Sequence, residues 1–247
     1  MSLILSLETA TVQGSVALHQ NGQLVAQFDI LLENSHSQTL TLQIEQLMRL
    51  SGFTLAQLDA VAVSAGPGSY TGLRIGTSTA KGLCFALDKP LIAVDTLQAM
   101  AAIVADTAVF PEAMLCPMLD ARRMEAWCGI YKGNETVWAA APRVIEANSF
   151  DEFTENQMLI LFGNGANKYQ NILEARRNIV FWQNVVPSAK YVGYLATKQW
   201  EQGQTADLAY FEPYYLKEGN ATAKPLASRA CLEPKSLFNS SCVVSKK

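Results

Sequence analysis

The chain opens on an apolar run from Ser2 to Ser6, breaks at a polar bend Glu8-Thr9-Ala10-Thr11, and resumes from Ser15 to His19. Asn21-Gly22, between Gln20 and Gln23, marks a hairpin turn, and Leu24 to Leu31 returns as a third strand. The period then changes. Leu40, Ile44, Leu47 and Met48 recur on one helical face behind Ser35, a cap whose capping-box partner is Gln38, and the pattern stops before Gly52. Val61 to Ser64 predicts a strand, a helix follows to about Leu87, Leu91 to Val94 is a strand again, and an alanine-rich helix starts at Thr96.

After a break at 106–112 the pattern restarts. Met114 to Leu119, Glu125 to Tyr131 and Thr136 to Ala141 predict three strands, with Lys132-Gly-Asn-Glu135 as a hairpin turn. A helix from Ser149, a strand Met158 to Phe162, a bend at Gly163-Asn164-Gly165 and a helix from Ala166 complete a second β, β, β, α, β, α series. A further helix spans Ser188 to Gln202. Two copies of one element order predict an α/β protein of two similar lobes facing across a cleft. The lobes are 1–107 and 108–217, and 218–247 is a loosely ordered tail with no sustained period.

The stretch with the most chemistry runs from Val61 to Gly82. A short β-branched run enters Gly66-Pro67-Gly68-Ser69 and leaves as a helix, a geometry that aims backbone N–H groups at an anion. The spacing of Gly66, Gly68 and Gly72 is one residue longer than a dinucleotide fingerprint, and no Lys-Ser/Thr pair follows. Phosphate binding at Gly66, Gly68 and Ser69 and a plain structural turn are both open. Beyond the bend, Gly72, Gly76 and Ala80 fall at i, i+4 and i+8 and leave one helix face almost bare. Either this chain's own neighbour or a partner protein packs there.

Composition narrows the function classes. With 247 residues, 49% hydrophobic and 17% charged, the chain reads as a soluble globular protein. A net charge of −3 argues against a free-standing nucleic-acid binder. Five cysteines without a CxxC pair read as reduced thiols in a cytoplasm, the first residues carry no basic region of a signal peptide, and Asp106 stops the longest apolar run before it could span a membrane. Two histidines, His19 and His36, are poor equipment for nucleophilic or metal chemistry, since the position one turn after His36 is Leu40. Glu8, Asp95 and Asp120 follow strands and could serve a phosphotransferase by holding Mg²⁺ or activating a hydroxyl; capping and turn chemistry would explain them equally.

Taken together, Ile4-Leu-Ser-Leu-Glu-Thr-Ala-Thr11, Ser35-His-Ser-Gln38, Ser64-Ala-Gly-Pro-Gly-Ser-Tyr-Thr-Gly-Leu-Arg-Ile-Gly76, Leu119-Asp-Ala-Arg-Arg123 and Pro213-Tyr-Tyr-Leu-Lys217 resemble the bacterial TsaB (YeaZ) family over about residues 3–217. The resemblance implies an actin-like, sugar-kinase-like (ASKHA, RNase H-like) fold. It also implies a part in making N6-threonylcarbamoyladenosine beside the anticodon of tRNA. In that family TsaB is the non-catalytic partner of its paralogue TsaD, which transfers the threonylcarbamoyl group from an adenylate made by TsaC, and TsaE contributes an ATPase cycle. TsaD holds its metal through a histidine pair, of which only His36 is matched here.

The resemblance further implies pairing with TsaD, or with a second copy when TsaD is absent, through the helices Ser35 to Leu50 and Thr71 to Leu87. His36, Leu40, Leu42, Gly72, Leu73, Gly76 and Ala80 are then the candidate partner-binding residues, with no catalytic residue, metal or cofactor of the chain's own and tRNA reached only through the complex. Glu8 stands where the family usually has Asp. The competing reading is an ATP-dependent small-molecule kinase using Glu8, Asp95 and Asp120; a metallopeptidase is the third.

Overall fold

Why each strand lies where it does follows from its pattern. In the computed structural model, which describes residues 1–32, 36–133 and 135–215, β1 (Leu3–Glu8) is buried along its whole length, as a central strand must be. β2 (Gln13–Gln20) pairs antiparallel with it, and β3 (Gln23–Leu31) closes the meander as an edge strand with alternating half-buried and exposed residues. After α1 (His36–Ser51) come β4 (Ala60–Ser64), α2 (Tyr70–Leu87), β5 (Leu91–Val94) and α3 (Thr96–Asp106), with β4 parallel to β1 and β5 parallel to β4. The cap at Ser35 and the tail lie outside the described residues.

The second half repeats this: β6 (Met114–Asp120), β7 (Glu125–Lys132), β8 (Glu135–Val144), α4 (Asp151–Thr154), β9 (Leu159–Phe162), α5 (Gln170–Leu173), β10 (Ile179–Trp182) and α6 (Ala189–Glu201). The sheet orders are β3-β2-β1-β4-β5 and, reading the second from its own edge, β8-β7-β6-β9-β10, so both halves share one topology. Strand β10 is the element the pattern did not predict. Ile179-Val-Phe-Trp182 is only four half-buried residues with no alternation, and its identity comes from pairing parallel to β9. The helices expected from Ser149 and Ala166 shrink to single turns. Phe150 and Thr154 fill the burial that one turn offers, as do Tyr169 and Leu173 on the 3₁₀ turn Asn167–Tyr169 and the α5 that follows it.

Each sheet has a core on each face. On one face of the first sheet, Leu3, Leu5, Leu7, Val61 and Val63 meet Leu40, Ile44 and Leu47 of α1 and Ala80 and Cys84 of α2. On the other, Ile4, Ala60, Ala62, Ile92 and Val94 meet Val192, Leu195 and Ala196 of α6 and Ala99 of α3. The remaining apolar face of α3, Leu97, Met100, Ala101 and Val104, packs on Leu115, Leu119 and Trp127 of the second sheet. The boundary drawn at 107/108 therefore needs correction as a packing boundary. Helix α6, placed by sequence in the second lobe, covers the first sheet, and α3, placed in the first, lies against both. A 3.6-residue apolar stripe says that a helix must be covered, but not by which sheet.

Candidate functional site

The glycine bend at the end of β4 is held by backbone on every side. Ala65 N donates to Val94 O at 2.7 Å, Thr96 N to Gly66 O at 2.9 Å, Tyr214 N to Ala65 O at 2.6 Å and Ser69 N to Ala10 O at 2.7 Å. Gly66 has φ +99°, where only glycine is unstrained, and a Cβ there would stand 2.1 Å from the Tyr214 carbonyl oxygen. At Gly68 a Cβ would meet Ala10 Cβ at 2.5 Å, and the Ser69 hydroxyl caps α2 by accepting from Gly72 N at 3.4 Å. The phosphate reading of Gly66, Gly68 and Ser69 is thereby corrected. The space an anion would need holds the chain's own Tyr214 and Ala10, and the Ser69 amide already has an acceptor.

The bare stripe of α2 also faces inward. A Cβ on Gly72 would lie 2.0 Å from Thr9 O and one on Gly76 would lie 2.2 Å from Thr9 Oγ1, while Thr9 Oγ1 donates to Gly72 O at 2.8 Å. Ala80 and Leu73 are fully buried. Gly72, Leu73, Gly76 and Ala80 are thus used up admitting the β1–β2 bend and the core, which corrects their placement on a partner surface. Outward, α2 presents Arg74, Ser78, Gly82 and Phe85, the last 83% exposed.

Helix α1 repeats the lesson. His36 is buried, its Nε2 sits 2.7 Å from Thr11 O, and Leu40 lies in the core, so neither is presented to a partner either. A metal held through His36 does not fit. Its ring is packed against Gly14 and the position one turn on is apolar, and among the described residues no three His, Cys, Asp or Glu side chains cluster as metal ligands would. Leu42 is 56% exposed and Leu50 is 69% exposed on the outer side of α1.

The three carboxylates are each engaged separately. Glu8 is fully buried and accepts from Ala10 N at 2.5 Å; burial pushes its pKa up to about 7 against those hydrogen bonds. Asp95 caps α3 by accepting from Gln98 N at 2.8 Å, and burial raises it to about 6. Asp120, at the end of β6 in the other sheet, is ion-paired to Lys168 Nζ at 2.6 Å. A kinase constellation is not assembled from them.

What residue patterns missed is the strap at 206–215. Ala206 N donates to Leu91 O at 2.8 Å, Lys81 Nζ donates to Ala209 O and Phe211 O at 3.2 Å each, and Tyr215 packs its ring 4.6 Å from that of Tyr70. Tyr214 then reaches Trp127 on β7, edge to face at 4.9 Å. The strap joins the first sheet's glycine bend to the second sheet. The Pro213-Tyr-Tyr segment was visible in sequence, but nothing in it pointed to Gly66 or Trp127.

A family model, TsaD: tRNA N6-adenosine threonylcarbamoyltransferase, matches residues 31–192. The chain belongs to the TsaD family. Within it the similarity runs full-length to TsaB proteins: the "tRNA threonylcarbamoyladenosine biosynthesis protein TsaB" of Escherichia coli K12 is 29% identical over 232 residues, 90% of this chain and 97% of that one. The solved structure of YeaZ from Pseudomonas aeruginosa superposes with a TM-score of 0.76 at 26% identity, covering 87% of this chain and all of that one. The tRNA N6-adenosine threonylcarbamoyltransferase of Solidesulfovibrio magneticus matches at 36% over 126 residues, 44% of this chain but 34% of its own length. The duplicated sheets are those of the actin-like, sugar-kinase-like fold, and this TsaD-family chain is a TsaB (YeaZ) relative in which bend and helix are filled by its own residues.

Proposed function

We propose that this chain serves the formation of N6-threonylcarbamoyladenosine on tRNA as a non-catalytic subunit, docked on a TsaD-type transferase, with TsaE and ATP acting on the assembled complex. One observation carries the reading: the bend that would grip a phosphate is filled by Tyr214 and Ala10, in a chain whose full-length relatives are named for that pathway. The same observation disfavours the kinase, because Glu8, Asp95 and Asp120 are each tied to a neighbour and do not converge on an empty cradle. A fold kept with its chemistry gone acts through its surface.

The partner face moves from the buried stripe to the outer sides of α1 and α2, where Leu42, Leu50 and Phe85 are large, apolar and exposed. A second copy of the chain uses the same face when the transferase is absent. Among the described residues no helix is long and apolar enough to cross a membrane.

The test is pairing with the transferase from the same genome. Leu42→Glu together with Phe85→Glu should weaken it at least about tenfold at unchanged melting temperature, as loss of a buried apolar anchor does. Depletion of the chain should lower the modified nucleoside in digested tRNA by mass spectrometry. Micromolar binding and turnover of ATP·Mg²⁺ by the isolated chain would establish the kinase instead.

A further inference from the structure

The hairpin between β6 and β7 is the one exposed place in the described residues where two successive non-glycine residues are held in the left-handed region, Arg122 at φ 66° and Arg123 at φ 50°. L side chains adopt this conformation at a cost, and hairpin tips normally meet the need with Asn or Gly. Here the tip reads Ala121-Arg-Arg-Met124 and carries neither.

The surroundings force the conformation rather than relieve it. Arg122 N donates to Asp120 Oδ1 at 2.9 Å, and Lys168 Nζ grips Asp120 Oδ1 at 2.6 Å, Arg123 O at 3.3 Å and Glu125 O. Tyr169 donates its hydroxyl to Met124 O at 2.8 Å, and Asp120 N is held by Asn164 Oδ1 at 3.0 Å. Bend 163–165 lies directly behind, since a Cβ on Gly165 would stand 2.7 Å from Leu119 C.

Five of these six polar contacts engage backbone atoms and fix a tip whose two guanidinium groups are exposed and, among the described residues, form no hydrogen bond or ion pair, Arg122 acting on the Asp120 carboxylate only through its charge. Lys168 and Asp120 neutralise one another. Two adjacent planar forks carried on a fixed backbone suit phosphate oxygens, which guanidinium binds bidentately.

We propose that the β6–β7 hairpin is a phosphate-contact site through which Arg122 and Arg123 grip the tRNA backbone in the assembled complex. This rests on the functional reading above and goes beyond it, since that reading gives the chain no RNA contact of its own. A phosphodiester backbone fits better than a nucleoside triphosphate. The tip is an open projection, and the adjacent bend offers no free cradle, because Gly165 N already donates to Met118 O at 3.0 Å and Ala166 N to Gly163 O at 3.1 Å. The chain's net charge of −3 explains why the contact needs the partner: two arginines cannot hold RNA against an acidic surface without further cations.

The experiment uses the full chain in complex with its transferase and measures unmodified tRNA binding over a salt series. Arg122→Ala/Arg123→Ala should raise Kd about tenfold and lower the slope of log K against log salt by about 1 to 2, since each lost phosphate contact removes 0.7 to 0.9. Arg122→Asn/Arg123→Gly should lower RNA affinity equally while raising the melting temperature, because it relieves the backbone. Unchanged affinity and slope in an intact complex would overturn the assignment, as would loss of ATP·Mg²⁺ binding with RNA binding preserved. A wild-type chain that never pairs with the transferase would overturn the functional reading, and this inference with it, and the pairing measurement reads that out separately.

Discussion

Glu8 occupies a site where a charge is poorly supported. It lies at the end of the central strand, fully buried, and holds its proton up to about pH 7. Its native pKa stands above the unfolded value near 4.5, so the native state binds the proton more tightly. The contribution is fully present below about pH 4.5 and is lost as pH rises through 7, a difference on the order of 3 kcal/mol. Urea midpoints of the wild type should fall between pH 5 and pH 8 relative to Glu8→Gln, and a constant difference would refute the shift. Glycines on α2 give a second contrast. Gly72→Ala pushes a methyl into Thr9 O and should cost about 1 to 3 kcal/mol despite better helix propensity. Gly82→Ala meets nothing within 4 Å on an exposed helical turn and should stabilise by about 0.5 to 1 kcal/mol. Equal effects in the two variants would mean the stripe does not pack inward. At this scale the residue types were legible, since small side chains at 72, 76 and 80 did signal a close approach. What approached them, Thr9 from 63 residues earlier, was not, because no local rule ties a bend to a distant helix.

Among the elements, α2 is shared between the core and the strap. Its inner face admits Thr9, and Lys81 and Tyr70 on its flank hold residues 209–215. Tyr214 touches both the glycine bend, through its N–H on Ala65 O, and the Trp127 ring. Tyr214→Ala removes an edge-to-face pair worth about 0.5 to 1.5 kcal/mol beyond the area it buries. We expect a red-shifted Trp127 emission, measured with the other three tryptophans replaced by Phe, and faster hydrogen exchange at 65–69. An unmoved Trp127 spectrum would show that the strap is not what covers it. Strands β1 to β9 could be read from apolar runs and turn residues. β10 could not, nor could the shortness of α4 and α5, because burial in those places depends on pairing and on how much surface a neighbour leaves open.

For the molecule as a whole, the exchange of covering helices matters most. α6 closes the first sheet from the far end of the chain, and α3 serves both sheets, so neither half has a complete core of its own. Unfolding of the 1–216 unit should therefore be a single transition, with coincident urea curves from tryptophan emission and far-UV circular dichroism. A chain ending at residue 187 should fail to fold, having left Ile4, Ala62 and Val94 uncovered. Two separated transitions, or a stable 1–187 fragment, would show that the lobes are independent.

By itself the amino-acid sequence determined strands β1 to β9 and the long helices, their doubled order and hence the two-sheet fold, because periods of 2.0 and 3.6 residues and glycine turns are local properties. Only the tertiary structure decided which sheet each terminal helix covers and that the glycine bend and stripe are filled from within. It also decided that Leu42 and Phe85, not Gly72 and Gly76, remain outside. Those outcomes depend on contacts between residues far apart in the chain, and the free energy of such a contact is set by what meets it in space.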